Sequence, residues 1–305
     1  RESRGLHRRR AGRVMITRFA PSLTGYLHLG HVLHMLHVWG VARAVGARVL
    51  CRIEDHDLGR ARPEYEAAIL ENMAWLGFTP DLGITAATAD GPSEFRQSDC
   101  SDHYEAVLQV LKDRGLVYGC ECSRKQILET QTTPGEPRYA GTCAEKGLPL
   151  AGVAVRFRAP EGEVVFRDLN LGEQGQTPRN QCGDFSLRDR NGQWTYQFAC
   201  VCDDIRHGVD LVVRGEDILP STARQIQLFK TLGAPVPRFL HHPLLRDAAG
   251  NKLSKRQRSE SLTAMKESGA TAEEIIGRAA AAGGLIPEPK PISRANALAL
   301  VAAGF

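Results

Sequence analysis

Hydrophobic and polar positions along this chain follow two rhythms. The stretch "RVMITRFAP" (13–21) is a short apolar run of the kind that forms a strand, and "ARVLCRIED" (47–55) repeats it before ending in acids. Between them, "VLHMLHVWGVARAV" from Val32 carries apolar residues at helical spacing, which predicts a helix from about Gly30. "RPEYEAAILENMAWLGF" and "SDHYEAVLQVLKDRG" also read as helices, with Pro63 at a tolerated first-turn position and Gly115 closing the second. Strand, helix, strand, helix in this order predicts an α/β fold with a parallel sheet and ligands at the strand C-termini. The rhythm breaks between about Leu116 and Asp189, where glycines and prolines multiply and "VAVRFRAP" and "VVFRDL" alternate like half-exposed antiparallel strands. It resumes at "WTYQFACVCDD", read as a strand with Cys200 and Cys202 on one face. The strand "VDLVVRGED" and the helix "STARQIQLFKTLG" follow. Helical spacing returns weakly in "SLTAMKESG" and "TAEEIIGRAAAAG".

The organisation expected from this is a leader over 1–13, the first half of an α/β domain over 14–115 and an insertion over 116–190. The second half of the domain spans 191–256, and a short helical tail over 257–305 is too small for a further typical domain. At 305 residues the chain has ample core, and 42% hydrophobic with 24% charged residues is ordinary for a globular protein. A net charge of +4 means that any nucleic-acid surface is a local patch. No apolar stretch approaches a membrane span, "LALVAAGF" being too short. The Arg-rich "RESRGLHRRRAGR" has no apolar region behind it, which argues against export and for a cytoplasmic protein. Eight cysteines then point to thiols and metal sites rather than disulfides.

The densest chemistry lies in "RFAPSLTGYLHLGH", Arg18 to His31. Pro21, Ser22 and Gly25 make a turn, but a turn does not need His28 and His31 around Gly30 where a helix begins. A helix N-terminus offers unpaired N–H groups and the positive end of its dipole, which suits a phosphate. A second basic stretch, "LLRDAAGNKLSKR", brings Lys252, Ser254, Lys255 and Arg256 after a Gly-Asn turn, as a clamp from the other side. Neither GxxxxGK[ST] nor GxGxxG is present.

Together the two stretches resemble class I aminoacyl-tRNA synthetases, with "HLGH" where that family has His-Ile-Gly-His and "KLSKR" where it has Lys-Met-Ser-Lys-Ser. "RIEDHD", "YQFACVCDD", "LVVRGED" and "HHPLLRDAAGNKLSKR" are similar to the glutamyl branch, from about Thr17 to Arg256. Leu23 departs from the usual proline of that branch. The resemblance implies a Rossmann-like parallel sheet interrupted by a zinc-bearing insertion. With only about fifty residues after "KLSKR", the chain looks like the truncated, tRNA-modifying paralogues that lack an anticodon-binding domain.

Such enzymes activate L-glutamate with ATP and transfer it to queuosine at the wobble position of tRNA(Asp). The alternatives are a compact synthetase charging a tRNA 3′ end, a related nucleotidyltransferase that uses no tRNA, and a zinc-bearing RNA-binding protein without catalysis. In the activation step His28 and His31 would act on one side of the phosphates and Lys255, assisted by Lys252, on the other. Gly30 and Ser254 complete the ATP contacts, and Mg²⁺ comes with the nucleotide. The resemblance assigns Arg18 and Arg214 to the glutamate side-chain carboxylate, with Tyr196 bordering the pocket. Glu54 takes the ammonium group, helped by Ser22 and the neighbouring Phe19, Ala20 and Pro21. A salt bridge between Arg18 and Glu54 on adjacent strands is the plain structural explanation for that pair. Asp203 and Asp204 are expected near the same pocket in a positioning role. His56 and Asp57 have either a substrate contact or a turn to explain them.

Cys120, Cys122 and Cys143 have spacing suited to a single structural Zn²⁺, which normally takes four ligands. Spacing leaves the fourth open between Cys182 and His103, whereas the resemblance points to Tyr139. Cys200, Cys202 and Cys51 are expected in the core. The resemblance also implies a monomer.

Overall fold

A computed structural model of the chain describes residues 13–129, 136–245 and 261–305. The basic loop with Lys252, Ser254 and Lys255, and nearly all of the leader, lie outside the described residues. The elements in order are β1 (Ile16–Phe19), α1 (Leu29–Val45), β2 (Arg48–Cys51), α2 (Pro63–Trp75), β3 (Leu82–Gly83), α3 (Ser101–Asp113) and β4 (Val117–Cys120). Next come α4 (Arg124–Glu129), β5 (Ala154–Phe157), β6 (Val164–Asp168), β7 (Gly172–Gln176), α5 (Pro178–Gln181), β8 (Ser186–Arg188) and α6 (Tyr196–Arg206). The chain continues through β9 (Leu211–Gly215), α7 (Thr222–Thr231), β10 (Arg238–His242), α8 (Leu262–Glu267), α9 (Ala272–Ala282) and α10 (Arg294–Ala303).

Seven strands make one sheet in the order β3-β2-β1-β9-β10-β6-β7, parallel throughout except for the β6–β7 hairpin. Burial on both faces explains the apolar runs of the central strands. Thr17, Arg18 and Phe19 are buried, as are Val49 to Cys51 and Leu211 to Val213. A separate antiparallel sheet, β4-β5-β8, stands apart with its own core around Phe157, Leu187 and Phe198.

Two expectations are corrected. The segment 116–190 is not one separate insertion, because β6 pairs with β10 at Phe239↔Asp168 and extends the main sheet. "VVFRDL" and "VAVRFRAP" both have antiparallel partners, but in different sheets. "WTYQFACVCDD" is mainly the helix α6, not a strand. Phe198 to Asp204 are all buried, so the run shows no polar face and its helical period is hidden. On a helix Cys200 and Cys202 are about 200° apart, so they look in different directions. Cys202 packs with Phe198 and Phe229, while Cys200 turns toward Arg18 and Arg52. Both are core residues, as is Cys51.

After the basic loop, α8, α9 and α10 fold back onto the domain. Leu298 and Val301 of α10 and Ile276 of α9 join the core that α1 shares with β1 and β2. α10, from "RANALALVAA", is a helix that the sequence reading did not single out. Among the described residues no helix is long and apolar enough to cross a membrane.

Candidate active site

At the C-terminal ends of β1, β2, β9 and β10 the sheet opens into a cleft of about 860 Å³. It gathers Arg18, Phe19, Ala20, Pro21 and Ser22 past β1, then His28, Gly30 and His31 at the start of α1. Glu54 past β2, Tyr196 at the start of α6 and Arg214 on β9 complete it. Every described residue expected at the amino-acid and nucleotide pocket is therefore on one surface.

His28 is the N-cap of α1. Its Nδ1 accepts the N–H of Gly30 at 3.0 Å, and His31 Nδ1 accepts the N–H of His28 at 3.1 Å. The two imidazoles thus fill the places that a hydroxyl and a glutamate take in a usual capping box. With each Nδ1 lone pair used, the proton of a neutral ring lies on Nε2. A Cβ at residue 30 would stand 2.8 Å from His28 Cε1, so the glycine is needed by the capping ring itself.

Behind β1 and β2 the cleft is held by buried charge. Arg18 Nε donates to Asp204 Oδ1 at 3.3 Å. The salt bridge to Glu54 weighed from the sequence is not what forms. Arg52, fully buried, donates to Glu54 Oε1 at 2.8 Å and to Asp204 Oδ1 at 2.7 Å, and lies 3.7 Å from Asp203 Oδ2. Burial pushes the Asp204 carboxyl up, but Arg18 and Arg52 more than offset it and hold it below the ordinary carboxylate range. Asp203 turns away, receiving Tyr104 Oη at 2.9 Å, Gln97 Nε2 at 2.8 Å and Arg206 Nη2 at 2.9 Å.

Arg214 is fixed at each nitrogen. It donates from Nη2 to Thr222 Oγ1 (2.7 Å), from Nη1 to Gln225 Oε1 (2.7 Å) and Tyr196 Oη (3.2 Å), and from Nε to His241 Nε2 (3.0 Å). His241 accepts at Nε2, so its Nδ1 carries the proton and donates to Asp168 Oδ2 at 2.6 Å. Burial keeps His241 below its ordinary pKa despite that carboxylate. Sequence reasoning missed Arg52, Asp168 and His241. Arg52 had a signal: in an extended segment residues 52 and 54 share a face. Asp168 and His241 are 73 positions apart, and only the β6–β10 pairing joins them.

Against α1, His242 Nδ1 donates to the carbonyl of Pro243 at 2.9 Å, leaving Nε2 to accept from His34 Nδ1 at 3.0 Å. The His37 ring stacks on His242 with centroids 4.5 Å apart. Burial drives His242 down to about 3.

In the smaller unit the sulfurs of Cys120, Cys122 and Cys143 lie within 4.8 Å of one another, with Cys122 and Cys143 at 3.5 Å. Tyr139 Oη is 3.4 Å from Cys120 Sγ and accepts the N–H of Cys143 at 2.8 Å. Burial, together with the hydrogen bond to Cys143, pushes the Cys122 thiol up to about 11. Three thiols crowded this closely with a phenol fit a soft divalent cation that would favour their ionised forms. Cys182 and His103 are not part of the cluster; the Cys182 thiol donates to the carbonyl of Pro178 instead.

Residues 14–285 match the family model of class I tRNA synthetases (E and Q), catalytic domain. The glutamyl-Q tRNA(Asp) synthetase of Nitratidesulfovibrio vulgaris is 40% identical over 287 residues, covering 90% of this chain and 88% of that protein. The glutamyl-Q tRNA(Asp) synthetase of Rhodobacter capsulatus is 38% identical over 86% of this chain and 98% of its own length. A glutamate tRNA ligase from Elizabethkingia meningosepticum, solved in complex with its amino acid, superposes with a TM-score of 0.77 at 25% identity, over 95% of this chain. This chain spans 65% of that ligase, about two thirds of its length. The match over nearly all of the described sheet and cleft places the chain in the class I tRNA synthetases of the E and Q type, ligases of the aminoacyl-tRNA synthetase kind.

Proposed function

We propose that this chain joins L-glutamate to AMP, using ATP, and then transfers the glutamyl group to queuosine at the wobble position of tRNA(Asp). The observation that carries the amino-acid half is the cleft itself, in which Arg18 and Arg214 stand with Glu54 beside a histidine-capped helix N-terminus. Two guanidiniums and one carboxylate complement a zwitterion with an acidic side chain, and glutamine could not accept the same charge-assisted bonds. The acceptor half is supported by the relatives named for glutamyl-Q tRNA(Asp) synthesis, at 36–42% identity.

In the first step the α-carboxylate of glutamate attacks the α-phosphorus of ATP, and pyrophosphate leaves. His28 and His31 donate from Nε2 to the phosphate oxygens as charge builds there. Losing one such donor typically costs about 10²–10³ in rate. Lys255, assisted by Lys252, and Ser254 would meet the phosphates from the basic loop, with Mg²⁺ carried in by ATP. Arg18 and Arg214 hold the side-chain carboxylate beside Tyr196, while Glu54 and Ser22, with Phe19, Ala20 and Pro21, hold the ammonium end. Cys120, Cys122, Cys143 and Tyr139 would hold one structural Zn²⁺, which fixes the loops of the smaller unit. The chain is read as a cytoplasmic monomer.

The test follows labelled glutamate, with ATP, onto tRNA(Asp) with and without queuosine and onto tRNA(Glu). Transfer confined to queuosine-bearing tRNA(Asp) is expected. Charging of the tRNA(Glu) 3′ end would replace this reading with a compact glutamate ligase. In the first half-reaction, His31→Ala should abolish ATP–pyrophosphate exchange while leaving the thermal unfolding midpoint unchanged within error.

A further inference from the structure

We propose that His56 is the base of the transfer step, its Nε2 taking the proton of the attacking RNA hydroxyl. This rests on the reading of the chain as a glutamyl-transferring enzyme given above. A chain of hydrogen bonds fixes the imidazole. Asp203, fully buried and paired with Arg206, can only accept. The Gln97 side chain must therefore turn its Nε2 to Asp203, at 2.8 Å, and its Oε1 toward His56 Nδ1, at 2.7 Å. An amide oxygen also only accepts, so His56 Nδ1 carries a proton and the lone pair of the neutral ring is on Nε2. That nitrogen has no protein partner among the described residues, and the ring lines the cleft.

His56 thus differs from His28 and His31, whose Nδ1 atoms are acceptors within the helix cap. It also sits beside the residues read as holding the amino acid. It follows Glu54 by two residues and its ring lies 6.4 Å from that of Tyr196, whose hydroxyl receives Arg214. The groups around it are Glu54, Asp55, Asp57 and Arg60 of its own segment, Tyr196 of α6, and Gln97 backed by Asp203. An acceptor nitrogen on the amino-acid side of the cleft suits the second step rather than the first. There the hydroxyl oxygen bonds to the acyl carbon of the glutamyl-adenylate while His56 Nε2 takes its proton. The carbon–oxygen bond to phosphate breaks, its electron pair leaves with AMP, and the imidazolium returns its proton to solvent.

Two rates measured on the same variant decide the matter: ATP–pyrophosphate exchange, and single-turnover transfer from preformed adenylate to the tRNA. General base catalysis is typically worth about 10²–10⁴. His56→Ala should lower transfer by at least about 10², and exchange by far less. Imidazole added to the buffer should restore part of the transfer rate. Transfer within about threefold of wild type, or exchange and transfer falling together without imidazole rescue, would overturn the assignment. Absence of any transfer by the wild-type chain would instead remove the underlying reading.

Discussion

Arg52 shows how much of this cleft is decided by a residue that never reaches it. Its guanidinium lies between Glu54, Asp203 and Asp204, and Asp204 in turn holds Arg18. Removing one partner of a buried ion cluster typically costs about 3–5 kcal/mol, because the remaining charges stay desolvated. Arg52→Met should therefore lower the unfolding free energy by that order in urea titrations, and should abolish exchange through loss of the Glu54 position. A loss below about 1 kcal/mol would show that the carboxylates find other partners. At this scale the sequence told only part of the story. Arg18, Glu54 and Arg214 are legible because each stands in a short motif whose chemistry is complete without neighbours. Asp168 and His241 are not, since a carboxylate that fixes a tautomer has meaning only after two distant strands pair. The sequence points to Gly30 as an ATP contact, and the structure adds a nearer reason for a glycine there, the His28 ring. Gly30→Ala should accordingly reduce exchange by displacing the cap, with a fall in stability of about 1–3 kcal/mol at most.

α1 is the element on which most of these features depend, because its first turn faces the cleft while its body is gripped by α9 and α10. The grip is close at Gly40, where a Cβ would stand 2.6 Å from that of Val301. Gly40→Val should push α10 away and lower the melting temperature clearly, and a variant melting like wild type would show that the helices slide freely. The same helix carries a titration signal. His34 and His37 are held below their ordinary pKa by burial, and His242 on β10 is driven to about 3. In the unfolded chain these rings titrate near 6.5. The unfolded state thus takes up protons that the folded state refuses, and the stability they confer is complete above pH 6.5 and lost progressively as pH falls toward the folded values. Each such ring contributes a slope of about 1 kcal/mol per pH unit. His242→Leu should flatten the fall in urea midpoint between pH 6.5 and 4, and an unchanged slope would assign the acid sensitivity elsewhere. Elements were legible where one face is polar, as in α3, and misread where none is. α6 reads as a strand in the sequence because its acids are buried along with its apolar residues and leave no polar face.

Across the whole molecule, the cleft and the cysteine cluster belong to different cores. Tyr118, Cys120, Tyr139 and Cys143 pack among themselves, while the residues behind the cleft pack with α1, α9 and α10. The smaller sheet β4-β5-β8 shares no strand with the main one. A metal held by Cys120, Cys122 and Cys143 would therefore stabilise its own loops without reaching the pocket where glutamate is activated. If the loops of this unit help to seat the RNA, the two half-reactions should respond differently to metal loss. Cys122→Ser, or prolonged dialysis against a strong zinc chelator, should reduce zinc content from about one per chain, as ligand loss at a structural site predicts. Protease cleavage should rise within 121–150. Exchange should persist close to the wild-type rate, while transfer to the tRNA falls. Equal loss of both reactions would mean that the two cores are coupled more tightly than their separate packing implies. Zinc absent from the purified wild-type chain would remove the metal from the account and leave the three thiols and Tyr139 as a hydrogen-bonded cluster.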